Sequence, residues 1–212
     1  MTSKSSLTCI QTEPLAVPMA TRTATNAAAK TLLRQSLLTQ RRMLAQGQRA
    51  RWDAAIVSHI LAWWQEQRWP KIGVYWPLQG EPDLGAAYAA LAALGVQLCL
   101  PVVQQKGAAL LFAQWQPGEA MTRDRMGVAV PAELRFEPSA PALLVPCLGF
   151  NAERFRLGYG GGFYDRTLAQ LPRPATIGIA YACQARQFAS DAHDIALDQV
   201  LTEAGFERPK PA

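Results

Sequence analysis

Paired cysteines are missing from this chain of 212 residues. Cys9, Cys99, Cys147 and Cys183 are scattered, no two form a CxxC, and only His59 and His193 accompany them, so neither a zinc cluster nor a disulfide framework is indicated. Reduced, buried thiols in a cytoplasmic protein are the expectation. Long apolar runs are lacking too: half the residues are hydrophobic, but Pro, Gly or charge interrupts each run well before the roughly 18 to 20 residues a bilayer crossing needs. No membrane span is expected. Residues 1–26 lack the apolar core and small-residue cleavage pattern of a secretory signal, and their Ser, Thr, Ala and Pro content reads as a disordered extension. A start codon placed too early, with Met19 near the first ordered residue, and an acid-poor transit peptide are the alternatives. The net charge of +5 suits anionic partners, yet Lys and Arg form no dense stripe, so nucleic acid is not expected.

What is present reads as one domain over residues 27–212. Ala27 to Leu44 has no Gly or Pro and sets Leu33, Leu37 and Leu44 at helical spacing, with Lys30, Arg34 and Arg41 sharing roughly one face. A second helix, joined to the first near Gly47, is expected from about Ala50 to Gln67, stopped by Pro70. Short β-type runs then alternate with helical ones: Lys71 to Trp76, helix Leu84 to Leu94, Val96 to Val103, Leu110 to Trp115, Leu143 to Val145, helix Phe163 to Leu171, and Thr176 to Tyr181. Ile195 to Leu201 is a candidate edge strand. The fold class is therefore α/β, a single domain with a mostly parallel central sheet and helices on both faces. Loops Pro77 to Asp83, Pro146 to Gly162 and Ala182 to Asp194 would all leave carboxyl ends of strands, where open sheets bind ligands.

The most informative loop is Arg156-Leu157-Gly158-Tyr159-Gly160-Gly161-Gly162-Phe163-Tyr164-Asp165, between a short strand and a helix start. Four glycines in five positions allow positive φ and let successive N–H groups face one anion. Neither GxxxxGK[ST] nor GxGxxG is present, because Phe163 stands where the third glycine of the latter would be. A plain surface turn is the other reading of the glycines. Asp165, in the first helical turn, either meets the helix dipole or faces a metal beside bound phosphates. Lys30 and Arg34, one turn apart, form either a solvated basic face or an anion grip. Trp76 and Glu81 are either a core aromatic and a loop charge, or an aromatic wall and carboxylate for a flat heterocycle.

The stretch Leu144-Val145-Pro146-Cys147-Leu148-Gly149-Phe150-Asn151, followed by Arg156 to Arg166, resembles the signature of the 5-formyltetrahydrofolate cyclo-ligases. The resemblance extends over about residues 27 to 203, through Lys30 to Arg34, Trp76-Pro77 with Glu81, Ile177 to Tyr181 with Gln184, His193-Asp194 and Val200 to Glu203. It implies an enzyme that uses ATP and Mg²⁺ to close 5-formyltetrahydrofolate to 5,10-methenyltetrahydrofolate, through phosphorylation of the formyl oxygen. A relative that binds folate or nucleotide with little or no turnover is the alternative.

By the same resemblance, Arg156 and Tyr164 would act at the transferring phosphoryl group, although Tyr164 could instead pack the helix start. Lys30, Arg34 and the run from Arg156 through Leu157, Gly158, Tyr159, Gly160, Gly161, Gly162, Phe163 and Tyr164 would bind nucleotide. Trp76 and Glu81 would bind folate, and Asp165 and Asp194 would hold the metal. Tyr159 and Gly161 stand where many members carry Arg or Lys, so phosphate binding is expected to lean on Arg156, Lys30, Arg34 and backbone N–H groups. The implied partners are ATP and the folate, with neither nucleic acid nor membrane, and the protein is expected to be a cytoplasmic monomer.

Overall fold

The computed structural model describes residues 19–138 and 140–207, with side chains from Asn26 onward. Residues 1–18 of the expected extension lie outside the described residues. Helix α1 spans Met19–Arg42 and so takes in the end of the stretch read as an extension. Helix α2, Gln46–Gln67, starts before the expected Ala50, so the turn between the helices lies at residues 43–45 and Gly47 sits inside α2. It buries Ile56, Ile60, Trp63 and Trp64, spaced i, i+4, i+7 and i+8. Its end is closed by Arg68 in the left-handed region (φ 55°), whose N–H donates to Trp64 O, two residues before Pro70.

Strand β1 (Lys71–Gly73), helix α3 (Gly85–Ala93) and strand β2 (Gln97–Val102) form a parallel crossover unit. Then come β3 (Leu111–Trp115), the hairpin of β4 (Met121–Arg123) and β5 (Ala129–Pro131), β6 (Phe136–Glu137) and β7 (Ala142–Pro146). A small pair, β8 (Gly149–Phe150) and β9 (Arg156–Leu157), precedes helix α4 (Phe163–Leu168). Strands β10 (Ala175–Ile179), β11 (Gln199–Thr202) and β12 (Gly205–Phe206) finish the described chain. The main sheet runs β12-β11-β10-β7-β1-β2-β3-β6. Five consecutive strands, β11, β10, β7, β1 and β2, are parallel, while β3, β6 and β12 pair antiparallel.

The mostly parallel α/β reading therefore holds. The expected edge strand is not the edge: β11 lies inside β12, because the chain turns at Gly205 (φ 107°) and adds one more short strand. The β4–β5 hairpin and the β8–β9 pair were not expected, since runs of two or three residues carry too little alternation to register. One face of the sheet packs Ile72, Leu98, Leu144 and Ile177 against α2 and α3. On the other, Cys99, Leu143 and Val145 meet Leu168 and Phe163 of α4. Leu37 of α1 closes a third cluster with Leu148 and Leu157, which fixes α1 beside the β8–β9 pair.

Gly73, in the middle of the sheet, is required by packing. A Cβ there would overlap Leu143 Cδ2 and stand 3.1 Å from Phe112 Cε1. Gly73→Ala is expected to cost about 1–3 kcal/mol of stability, the usual range for overpacking. Urea unfolding measures it, and an unchanged midpoint would show that the sheet yields freely at this point.

Candidate active site

The loops that follow β1, β7 and β10 meet at the carboxyl edge of the parallel strands, as that topology requires. They enclose a cavity of about 600 Å³ with α1 on one side and the β4–β5 hairpin on another. Each residue expected at the site lines it: Lys30, Arg34, Trp76, Glu81, the run Arg156 to Asp165, and Asp194. Pro101, Asp124 and Met126 also face it, from segments that sequence reading left without a role. Asp124 stiffens the hairpin tip, its carboxylate accepting from the N–H groups of Val103, Met126 and Val128.

Gly160 (φ 93°) and Gly162 (φ 63°) hold conformations that side chains disfavour, and these two positions bend the loop back toward the cavity. Arg34 Nε donates to Gly158 O at 2.9 Å, and Arg166 donates to Gly161 O and Ala108 O, so the turn is clamped from both ends. Among the described residues, no N–H from Gly158 to Gly162 donates to a protein acceptor. Arg156 is anchored from behind: Nη2 lies 2.8 Å from Asp165 Oδ2, and its guanidinium carbon stands 5.5 Å from the centre of the Tyr164 ring. Its side chain is 5% exposed, and Nη1 is buried without a partner. A buried donor left unsatisfied is costly, and Arg156 as a residue lines the cavity. Burial keeps the Tyr164 phenol well above its ordinary pKa. Helix α4 has only six residues, shorter than expected.

Lys30, on α1, reaches the third loop. Its Nζ lies 2.6 Å from Asp191 Oδ2 and 2.7 Å from Asp194 Oδ2. Burial alone would lower the Lys30 pKa, but the hydrogen bonds and charges of Asp191 and Asp194 outweigh it and leave the ammonium above its ordinary value. Asp191 is held below the usual carboxylate value, first by its bond to Lys30.

Magnesium favours one or two carboxylates completed by phosphate and water oxygens. Asp194 fits that role, because the bonds from Lys30 and from the Asp191 N–H both fall on Oδ2. Asp191 and His193, unassigned from sequence, bring their ligand atoms within 4.8 Å of those of Asp194. Asp165 is already engaged, accepting from Arg156 on Oδ2 and from the Ile195 N–H on Oδ1.

The opposite wall is aromatic and acidic. Trp76 meets Trp115 edge-on at 6.0 Å, and Trp115 meets Tyr88 in the same way at 5.9 Å. Tyr75 and Tyr88 fix the turn by donating to Pro82 O and Tyr75 O. Glu81 is only 4% exposed, and burial raises its pKa against the opposing effects of the Leu78 N–H, the Tyr159 hydroxyl and Arg41.

Two residues make contacts that sequence reading did not foresee. Tyr159, expected among the nucleotide binders, donates its hydroxyl to Glu81 Oε1 at 2.8 Å. Arg41 had no assigned role, yet it is fully buried. It donates to Cys147 O at 2.8 Å, to Gln184 Oε1 at 3.3 Å and to the Tyr159 hydroxyl at 3.1 Å, and stands 3.9 Å from Glu81 Oε1. Its place on the face of Lys30 and Arg34 was the available signal.

Comparison with known proteins identifies the family. The sequence model of the 5-formyltetrahydrofolate cyclo-ligase family matches residues 26–203. The Mycolicibacterium smegmatis 5-formyltetrahydrofolate cyclo-ligase is 34% identical over 140 residues, 60% of this chain and 71% of that one. The Mycoplasma pneumoniae cyclo-ligase is 44% identical over 70 residues, an alignment that spans 32% of this chain and 43% of the relative. Among solved structures, Aquifex aeolicus 5,10-methenyltetrahydrofolate synthetase superposes with a TM-score of 0.74 at 26% identity, covering 86% of this chain and 94% of that one. The Mycoplasma pneumoniae synthetase gives 0.70 at 26% identity, covering 82% and 98%. The matched residues run from α1 through β11, across every loop that lines the cavity, and the chain belongs to the 5-formyltetrahydrofolate cyclo-ligase family.

Proposed function

We propose that this chain closes 5-formyltetrahydrofolate to 5,10-methenyltetrahydrofolate at the expense of ATP, with the glycine turn and Arg156 seating the triphosphate and Trp76 and Glu81 seating the pterin. The observation that carries this is the pairing, in one cavity, of Arg156 and a glycine turn whose amides find no protein acceptor among the described residues with an aromatic and carboxylate wall.

A formamide oxygen is a poor leaving group, so N10 cannot displace it unaided. Transfer of the γ-phosphoryl group to the formyl oxygen releases ADP and makes that oxygen part of a phosphate ester. N10 then attacks the formyl carbon, and expulsion of inorganic phosphate with loss of the N10 proton leaves the methenyl bridge. Phosphoryl transfer of this kind depends on alignment and charge neutralisation. The Arg156 guanidinium meets the developing charge, Asp165 and the Tyr164 ring hold it in place, and Lys30 and Arg34 grip the remaining phosphates. Asp194, whose two bonds both fall on Oδ2, is the best-placed holder of Mg²⁺, which when bound would neutralise phosphate oxygens; Asp165, engaged on both oxygens, acts through Arg156. The net positive charge suits two anionic substrates.

No helix among the described residues is long and apolar enough to cross a membrane, and Cys99, Cys147 and Cys183 are free thiols, in keeping with a reducing cytoplasm. Purified protein is expected to generate the near-ultraviolet absorbance of the methenyl product from 5-formyltetrahydrofolate, only when ATP and Mg²⁺ are both supplied. Chelation with EDTA should stop it. Failure to form product at ample enzyme would overturn the assignment.

A further inference from the structure

We propose that Tyr159 is a built-in plug of the pterin subsite: its hydroxyl occupies the Glu81 oxygen that a pterin N–H would use, and folate enters by displacing it. The proposal rests on the folate reading above.

Both oxygens of Glu81 are engaged. Oε1 accepts from the Tyr159 hydroxyl at 2.8 Å, and Oε2 accepts from the Leu78 N–H at 2.8 Å. With the residue 4% exposed and the Tyr159 hydroxyl lying on Oε1, an incoming donor reaches that oxygen only if a neighbour moves. Leu78 contributes backbone from within Glu81's own turn, closed by a hydrogen bond from the Glu81 N–H to Leu78 O. Arg41 is fully buried and bonded to Cys147 O and Gln184. Tyr159 differs from both: it is 41% exposed and flanked by Gly158, whose surroundings are open, and Gly160 at φ 93°. It is the group that can leave.

The exchange is chemically even. An O–H donor on a carboxylate gives way to an N–H donor, both charge-assisted when Glu81 is ionised. Arg41 Nη1, which now spends a hydrogen bond on the phenol oxygen, stands 3.9 Å from Glu81 Oε1 and can turn to it when the phenol departs. A site that is blocked part of the time binds its ligand more weakly in proportion to its open fraction. Removing the hydroxyl while keeping the ring should therefore strengthen folate binding, the opposite of what a substrate-contacting tyrosine would show.

The test measures the Kd for 5-formyltetrahydrofolate by calorimetry without ATP, and its KM with ATP and Mg²⁺ present, for wild type, Tyr159→Phe and Tyr159→Leu. Both variants are expected to lower Kd and folate KM by about three- to tenfold, the worth of one exchanged hydrogen bond, with no rise in kcat. A merely structural tyrosine would not produce that split. Equal or weaker folate binding in Tyr159→Phe, with an active wild type, would overturn the plug alone. A wild type that neither binds the folate nor makes product would overturn the functional assignment and the plug with it.

Discussion

Arg156→Ala is expected to lower kcat about 100-fold, the scale at which removal of one preorganised charge donor acts on a transition state. The residue is built for that task. One terminal nitrogen is spent on Asp165 at 2.8 Å, the guanidinium lies against Tyr164, and the other terminal nitrogen is buried with no partner. Arg156→Lys should recover little, because an ammonium cannot hold Asp165 and an anion in the same forked geometry. Asp165→Asn provides the contrast: with the guanidinium present but loosely held, a loss of roughly tenfold is expected from misplacement alone. Single-turnover kinetics with saturating ATP and folate checks all three, and a wild-type rate in Arg156→Ala would remove the residue from the mechanism.

Arg41→Met is expected to destabilise the fold by about 3–5 kcal/mol, because breaking a buried ionic network strands the group left behind. Glu81 would lose its countercharge while remaining nearly inaccessible, and Cys147 O and Gln184 Oε1 would each lose a donor. At 3.9 Å the direct contact between Arg41 and Glu81 is loose. The tighter link runs through the Tyr159 hydroxyl, which accepts from Arg41 and donates to Glu81. Adding Glu81→Gln to Arg41→Met should recover part of the loss, since no unpaired charge then remains inside. Urea unfolding of the two single variants and the double variant measures the coupling. Additive losses would mean that the two residues do not depend on each other.

Much of the fold could be read in advance because parallel strands advertise themselves. The buried runs at Ile72, Leu98, Leu144 and Ile177 are separated by crossover-length segments, and the loops after them must then share one edge of the sheet. The glycine turn was equally visible, since four glycines in five positions permit the positive-φ bend found at Gly160 and Gly162. Other features depend on contacts between residues far apart in the chain. Nothing near Arg41 in sequence says that a cation on an amphipathic helix will be fully buried; Cys147 and Gln184, more than 100 residues on, decide it. Tyr159 looks local to the phosphate turn, yet its hydroxyl finds a carboxylate 78 positions earlier. Asp165 was read either as meeting the helix dipole or as facing a metal, and only the tertiary structure brings Arg156 onto it.

The most direct measurement is a crystal structure with a non-hydrolysable ATP analogue and 5-formyltetrahydrofolate bound together. The terminal phosphate should rest on the N–H groups of Gly158 to Gly162, within hydrogen-bonding reach of Arg156 Nη1, and the formyl oxygen should point toward it from a pterin held between Trp76 and Glu81. A nucleotide lodged away from that turn, or a pterin outside the Glu81 pocket, would contradict it.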